Sequence, residues 1–181
     1  IDVIRNYTDK PISVDVNQGW KQKEKALDEI YWLKERGIVY VEQPMPKETT
    51  KEMEWLSQHS PLPTIADEAV QRLSDLFELK NRFHGVNIKL MKCTGIREGY
   101  LMAKVAKSLG LKVMIVCMTE SSCGIAAAAQ LAPLADWVDL DGHFLLADDP
   151  FEGLGFENGV VHLSEQNGLG VFPKHLSWAD Q

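Results

Sequence analysis

The sequence predicts an α/β fold in which parallel strands form part of a barrel. Six short runs of β-favouring apolar residues alternate with five longer segments of helical character. The runs are almost continuously apolar, as expected for parallel strands that are buried on both faces. Asp15, Glu42 and Asp67 end the first three runs and lie 27 and 25 residues apart, close to the length of one strand–helix unit in a parallel barrel.

The first half of the chain is predicted to contain two strands and two helices. Residues 1–9 are predicted to end an earlier helix, and Pro11 separates them from the first strand, ISVDV. Apolar residues in 22–36 recur at three- and four-residue spacing, which indicates a helix that Gly37 ends. The second strand is IVYVEQP, whose proline ends it, and a helix over 50–59 follows.

The second half continues the same alternation. The third strand lies in PLPTIADE, and Ser74 is predicted as the N-cap of a helix that reaches Arg82. GVNIKL is the fourth strand, after which Thr94 and Gly95 open a long helix that Gly110 stops. The fifth strand, a helix of small residues and the sixth strand are predicted in LKVMIVCMTE, SSCGIAAAAQLAP and ADWVDLD.

These elements predict that residues 1–181 are the C-terminal part of a parallel (β/α) barrel. About residues 1–143 hold the strand–helix units, and 144–181 form a loop-rich segment with a predicted hairpin in VVHLSEQNGLGVF. An eight-stranded barrel needs two further strands. We expect them to precede residue 1, outside the sequence given.

The composition excludes several classes of protein. A hydrophobic content of 45% and a charged content of 25% favour an ordered globular domain over a disordered one. A net charge of -7 argues against a nucleic-acid partner. Cys93, Cys117 and Cys123 form no CxxC pair, which predicts reduced thiols and a cytoplasmic protein. The most apolar stretch, CGIAAAAQLAPLADWV, is interrupted by polar residues and proline, so no membrane partner is predicted.

The strand ends carry residues suited to a metal site. Asp15, Glu42 and Asp67 fall where the loops of parallel α/β folds hold functional groups, and Lys89 ends the fourth strand in the same way. Three converging carboxylates repel one another unless a cation lies between them. Oxygen ligands without histidine favour Mg²⁺ over Zn²⁺. A single aspartate at a strand end is often only a turn residue or a cap, but four such positions in successive units favour a site.

Lys89 is predicted to be a general base. It ends an apolar run, whereas Lys92 is three residues further on and would face the opposite side of an extended strand. Lys92 is therefore predicted to be a surface residue. Glu120, at the end of the fifth strand, is predicted to position Lys89 or a substrate, with a purely structural role as the alternative.

Further candidates flank these positions. Asn17 and Glu68 lie beside two ligands and suit a role in holding them by hydrogen bonds, although either is equally explained as a cap. Cys117 and Thr119 share one face of the fifth strand and are predicted to line a pocket, or else to be small core residues. The histidines show no metal-ligand spacing and are predicted to be structural or exposed: His59, His84, His143, His162 and His175.

Five motifs in this order resemble one known family. VDVNQGW, VEQPMP, IADEAV, NIKLMKCTGI and MTESSCGIAAAA are similar to the barrel domain of the enolase superfamily, in its muconate lactonising enzyme subgroup. The resemblance implies a partial TIM-type (β/α)7β barrel in which Asp15, Glu42 and Asp67 bind Mg²⁺. It also implies that Lys89 is the acid/base lysine on one face of the substrate, where the α-proton is removed through an ene-diolate.

The last strand narrows the resemblance. Asp139 and Asp141 are two residues apart and so lie on one face, where two carboxylates suit an ammonium group. This D-x-D resembles the signature of the dipeptide epimerases, which implies Mg²⁺-dependent epimerisation of a dipeptide of the L-Ala-D/L-Glu type. It further implies a small-molecule dipeptide substrate, a homo-oligomer and a place in peptidoglycan peptide metabolism. The alternative is that the two aspartates only cap a loop.

The sequence departs from the family in what precedes ISVD. The family carries there a K-x-K strand, whose second lysine is the base on the opposite face, and a small capping domain. We therefore expect the remaining N-terminal portion to be a partner that this chain needs for epimerisation. Three other functions stay open: a cycloisomerase, an o-succinylbenzoate synthase, or a non-catalytic Mg²⁺-binding fragment. A doubly wound α/β hydrolase is a weaker fold alternative, because VDVNQ lacks its nucleophile pattern.

Overall fold

Strands and helices alternate along residues 1–174, the part of the chain that the computed structural model describes. Two units can be distinguished. The first consists of Ile1–Asn87 with Val105–Lys112, and the second of Ile88–Lys104 with the described residues from Val113 onward. None of the helices in the described residues is both long enough and apolar enough to cross a lipid bilayer.

The first unit holds the early strand–helix repeats. Its elements are α1 Asp2–Arg5, β1 Ile12–Asp15, α2 Lys23–Glu35, β2 Ile38–Glu42, α3 Thr50–His59, β3 Thr64–Ala66, α4 Leu76–Leu79 and the start of β4 Gly85–Lys89. The strands pair in parallel and in chain order, β1 with β2, β2 with β3 and β3 with β4. Predicted and observed bounds agree within two residues for β1 and α2, and α3 spans the predicted range.

Helix burial in the first unit follows the predicted periodicity. α2 buries Ala26, Ile30 and Leu33, which recur at three- and four-residue spacing along one face. α3 buries Met53 and Leu56 on its own apolar face. Full burial of one such side chain contributes about 1.5–3 kcal/mol, so these helix faces account for much of the stability of the unit.

The second unit holds the later repeats and the C-terminal loops. It contains most of α5 Ile96–Ser108, together with β5 Lys112–Val116, α6 Ser122–Ala129 and β6 Trp137–Asp139, with β5 parallel to β6. Short antiparallel strands follow: β7 Phe151–Glu152 pairs with β10 Phe172–Pro173, and β8 Gly155–Glu157 pairs with β9 Val160–His162.

The first turn of α6 is capped from the loop before β7. The backbone N–H of Ser122 donates to one carboxylate oxygen of Asp149 at 2.8 Å, and the N–H of Phe151 donates to the other at 3.1 Å. Burial acts to raise the pKa of Asp149, but these hydrogen bonds to the charged form leave it lowered overall. Asp149 therefore supplies the negative charge that a helix N-terminus favours.

Two predictions of local structure were wrong. Ser74 does not cap α4, because a 3₁₀ turn over Leu73–Asp75 precedes the helix and Asp75 accepts the N–H groups of Gln71 and Arg72, each at 2.8 Å. The predicted hairpin within 160–172 does not form. Strand β9 pairs instead with β8 across Asn158 and Gly159, both with positive φ, as a two-residue hairpin turn requires.

Candidate functional site

Three carboxylates follow successive strands of the first unit. Asp15 ends β1 directly opposite Glu42, the last residue of β2. Glu42 is opposite Ile65 of β3, and Asp67 lies two residues beyond Ile65. Because parallel partners and alternate residues of a strand point to the same face, the three side chains share one face. Asp15 is exposed, whereas Glu42 and Asp67 are only 7% and 6% exposed.

Two of these carboxylates are engaged by neighbouring groups. Oδ1 of Asp15 accepts a hydrogen bond from the N–H of Asn17 at 2.7 Å, which ties the aspartate to its own loop. Oε1 of Glu42 accepts from Nδ2 of the fully buried Asn87 at 2.5 Å. Asn17 therefore holds a predicted ligand, but through its main chain; its side-chain role stays a prediction.

The three carboxylates supply the oxygen ligands that Mg²⁺ prefers, and they lie on one face of the sheet. Their side chains are nevertheless not close enough together to surround a cation. Within residues 1–174, no three aspartate, glutamate, histidine or cysteine side chains come close enough together to form a metal cage. Oδ1 of Asp15 is bonded to the N–H of Asn17 in its own loop. Oε2 of Glu68 is buried and has no hydrogen-bond partner among the described residues, so this edge holds a carboxylate oxygen that a cation would satisfy.

The predicted base belongs to the second unit. Lys89 is the last residue of β4 and is half-buried. It lies two residues after Asn87, so both side chains point to the same face of that strand. Lys92 is in the turn that follows, where its N–H donates to the carbonyl of Lys89 at 2.9 Å. The assumption that Lys92 continues the strand was wrong, because the chain has already left β4 at Leu90.

The D-x-D pair ends the last parallel strand of the second unit. Asp139 closes β6 and Asp141 follows it, with the buried Leu140 between them. Partial burial of the carboxyl raises the pKa of Asp139, the adjacent Asp141 raises it further, and the charge of Lys89 lowers it. Asp139 is exposed as a residue, so solvent moderates these effects. The effect of Lys89 on this pKa indicates that the predicted base lies near Asp139.

Cys117 supports the main chain of this acidic segment. Its Sγ accepts a hydrogen bond from the N–H of Gly142 at 3.3 Å and lies 3.5 Å from the carbonyl oxygen of Asp139. Burial raises the pKa of the thiol, and the Gly142 hydrogen bond opposes that rise. A side chain at Gly142 would collide with the carbonyl oxygen of Met118, so the close approach requires glycine. Whether Cys117 also lines a substrate pocket stays a prediction.

The remaining candidates lie in the loop after β5. Thr119 is exposed. Oε1 of Glu120 accepts the N–H of Met118 at 2.9 Å, which closes a turn within the loop. The predicted contacts of Glu120 with Lys89 or a substrate stay predictions.

One histidine takes part in a buried hydrogen-bond network. Nδ1 of His84 lies 3.1 Å from the N–H of Thr64, from the hydroxyl of Thr64 and from the hydroxyl of Ser57. Burial lowers the pKa of His84. This network is at the start of β3, at the opposite end from Asp67. His175 lies outside the described residues.

Two buried amide side chains that contact the predicted ligands were not predicted from the sequence. Gln43 and Asn87 are both 0% exposed, and each forms a hydrogen bond to a predicted metal ligand. The available signal was an amide within or just after an otherwise apolar strand, as in GVNIKL and VEQPMP. Such a residue must find a partner, because burying a polar group without one is costly.

Several known proteins that are similar to this chain are dipeptide epimerases. The L-Ala-D/L-Glu epimerase of Bacteroides thetaiotaomicron is 54% identical over 171 residues, which cover 94% of this chain and 45% of that protein. The substrate-liganded L-Ala-D/L-Glu epimerase from Bacillus subtilis matches with a TM-score of 0.85 and 29% identity, over 92% of this chain and 48% of its own.

A third similar protein was solved with metal and dipeptide. The dipeptide epimerase from Enterococcus faecalis, complexed with Mg and L-Leu-L-Tyr, has a TM-score of 0.86 and 31% identity, over 94% of this chain and 51% of its own. The chain spans about half the length of the curated relatives that it matches. The family model described as Enolase C-terminal domain-like matches residues 1–176. The predicted fold class, part of a parallel α/β barrel, is thereby confirmed, and the chain belongs to the Enolase C-terminal domain-like family.

Proposed function

We propose that this chain supplies the barrel part of a Mg²⁺-dependent dipeptide epimerase of the L-Ala-D/L-Glu type. The observation that carries the proposal is the acid pair of Asp139 and Asp141 at the end of β6, in the same unit as Lys89 at the end of β4. A dipeptide offers a cation to the acid pair and an acidic α-proton to the lysine. The similarity to epimerases of dipeptides supports the same substrate class.

The acid pair is proposed to bind the ammonium end of the dipeptide. Asp139 ends β6 and Asp141 follows in the next turn, close enough for the two carboxyl groups to interact, and two neighbouring carboxylates form charge-assisted hydrogen bonds with an ammonium group. A bound cation offsets the repulsion that Asp141 exerts on Asp139, because its positive charge attracts both carboxyl groups. The backbone under them is fixed by Cys117 and Gly142, which limits the entropy lost on binding.

Lys89 is proposed to transfer the α-proton on one face of the substrate. As a neutral amine it accepts the proton, and the bonding electron pair stays with the substrate. Inversion then requires an acid on the opposite face to return a proton to the α-carbon. By resemblance that acid is the second lysine of the family's K-x-K strand, so the activity is proposed for the intact enzyme.

Asp15, Glu42 and Asp67 are proposed to hold Mg²⁺ through their carboxylates. When bound, Mg²⁺ acts as a Lewis acid that stabilises negative charge on the substrate carboxylate. Asn87 holds Glu42 for this role through the hydrogen bond to Oε1. A cytoplasmic role in peptidoglycan peptide metabolism, and assembly as a homo-oligomer, remain further parts of the proposal.

The test is α-proton exchange in the intact protein. Dipeptides are incubated in D₂O with Mg²⁺, and loss of the α-proton signal is followed by NMR together with inversion. Lys89→Met should lower the exchange rate about 100-fold or more. Asp139→Asn and Asp141→Asn should each lower kcat/KM about 10- to 100-fold by removing a charged hydrogen bond. Glu157→Gln, an exposed acid on β8, is the matched control and should behave as wild type.

The outcomes separate the competing functions. Absence of exchange with every dipeptide tested, with or without Mg²⁺, refutes the proposal. Activity on a muconate or succinylbenzoate substrate that survives both Asp→Asn changes would favour the cycloisomerase or synthase alternative. Mg²⁺ binding by an intact protein without any turnover would favour the non-catalytic alternative.

A further inference from the structure

Gln43 is a buried polar residue at the carboxylate edge. It is 0% exposed and follows Glu42 directly. Its φ is 31°, in the left-handed region that residues other than glycine seldom adopt. Such a conformation persists where the surrounding structure holds it, and it is frequent next to functional groups.

The main chain of Gln43 joins two neighbouring segments. Its N–H donates to the carbonyl oxygen of Ile65 in β3 at 2.8 Å. Its carbonyl oxygen accepts the N–H of Gln18, in the loop after β1, at 2.7 Å. Gln18 also has a positive φ, of 64°, so both residues of this contact are in the left-handed conformation.

The side chain of Gln43 reaches the loop that carries Asp67. Oε1 accepts the N–H of Asp67 at 2.8 Å and that of Ala69 at 3.2 Å. Nε2 donates to the carbonyl oxygen of Met45, in its own loop, at 2.9 Å. The side-chain amide thus has a bonded partner for its oxygen and for its nitrogen, and it contacts the main chain of a predicted ligand.

These bonds connect the three segments that follow β1, β2 and β3, next to the predicted ligands. Asp15 precedes the loop of Gln18, Glu42 is covalently joined to Gln43, and Asp67 is held through its N–H. Gln43 links the three through its main chain and its side chain together. An apolar side chain of the same size would fill the space but leave the N–H of Asp67 without its acceptor.

We infer that Gln43 is a positioning residue that fixes the main chain of Asp67 relative to Glu42 and so preorganises the carboxylates for a cation. This inference rests on the proposed function, because the metal role of those carboxylates belongs to it. Gln43 itself touches neither metal nor substrate. Its effect is transmitted through two backbone N–H groups.

The decisive variant is Gln43→Met in the intact protein. Methionine has nearly the same length and removes both the acceptor and the donor. Hydrogen exchange at the N–H groups of Asp67 and Ala69 should become about tenfold faster. The N–H of Gln18 donates to the main chain of Gln43 and should keep its exchange rate, which makes it an internal control. Mg²⁺ affinity, measured by calorimetry, should fall about 10- to 100-fold.

Thr64→Val is the matched control for a merely structural role. Thr64 is also 0% exposed and loses a buried hydrogen-bond network when its hydroxyl is removed, but it is at the opposite end of β3. This variant should lower Tm while Mg²⁺ affinity and the exchange rates of Asp67 and Ala69 stay as in wild type. Gln43→Asn keeps the amide but shortens the side chain by one methylene, which withdraws the oxygen from both N–H groups, so it should reproduce the effects of Gln43→Met on exchange and on Mg²⁺ affinity.

Wild-type exchange at Asp67 and Ala69 in Gln43→Met, or in Gln43→Asn if the methionine variant does not fold, overturns the inference. A loss of Mg²⁺ affinity that Thr64→Val matches overturns it as well, because the effect is then general destabilisation. If the wild-type protein binds no Mg²⁺, the proposed metal site fails. The exchange rates then still decide whether Gln43 holds Asp67.

Discussion

Replacing His84 with glutamine is expected to remove much of the acid sensitivity of folding. Nδ1 of His84 accepts the N–H of Thr64, and a backbone N–H can only donate. The ring is therefore neutral with its proton on Nε2, and the hydroxyls of Ser57 and Thr64 complete the network at 3.1 Å each. Protonation of Nδ1 would point its N–H at the backbone N–H of Thr64, and two donors cannot bond to each other, so the network would break.

The sign of the pH effect follows from the direction of the pKa shift. Burial lowers the pKa of His84 from 6.5, so the unfolded chain binds a proton at higher pH than the folded one. Stability contributed by the neutral ring is complete above the unfolded pKa. It falls as the pH drops below that value and is lost as the pH passes through the folded pKa. Each unit of pKa difference corresponds to about 1.4 kcal/mol of unfolding free energy.

Urea unfolding between about pH 5 and pH 8 measures this contribution. His84→Gln keeps an acceptor for Thr64 but does not titrate, so its unfolding free energy should vary less with pH than that of wild type. His84→Leu leaves the N–H of Thr64 without the His84 acceptor and should cost about 1–3 kcal/mol near pH 8, a difference that should shrink in acid, where wild type loses the same bond. His162→Gln, on an exposed strand, is the control. An unchanged pH slope in His84→Gln would refute the reasoning.

Three other substitutions test separate parts of the structure. Gly142→Ala drives a methyl group against the carbonyl oxygen of Met118, so kcat/KM should fall about tenfold while Mg²⁺ affinity is retained; loss of both would contradict this. Asp149→Asn weakens the cap of α6 and should cost about 1 kcal/mol by urea unfolding near neutral pH. The lowered pKa keeps Asp149 charged into acid, and the difference should vanish once the pH falls below that pKa and wild type loses the charge. Asn87→Leu removes the bond to Glu42 and should weaken Mg²⁺ binding about tenfold by calorimetry, with wild-type affinity as the contrary result.

The strands and the alignment of their ends were predictable because they depend on local pattern. Apolar runs identify buried parallel strands, and the carboxyl ends of such strands meet at one edge. The register of Asp15 opposite Glu42 follows once both are known to end their strands. The predicted ligand roles of these residues go beyond what pattern alone establishes, since they depend on side-chain orientation.

The wrong or missing predictions concern places where two similar signals are close in sequence, or where a side chain bonds to a residue far away in the sequence. Serine and aspartate both favour helix N-termini, so Ser74 and Asp75 are hard to distinguish by sequence. In the structure the carboxylate of Asp75 accepts the N–H groups of Gln71 and Arg72. Asn-Gly, a strong short hairpin signal, occurs at both Asn158–Gly159 and Asn167–Gly168, and the hairpin between β8 and β9 forms at the first rather than at the second, where it was predicted. Gln43 needed a partner 24 positions away, which no local pattern supplies.

Strand β4 links the register of the fold to the chemistry proposed for it. Asn87 binds Glu42, which requires that its side chain face the carboxylates. A register slip of one residue would turn this side chain away from Glu42. The buried hydrogen bond between Asn87 and Glu42 therefore does more than orient one carboxylate, because it also opposes a slip in the register of β4.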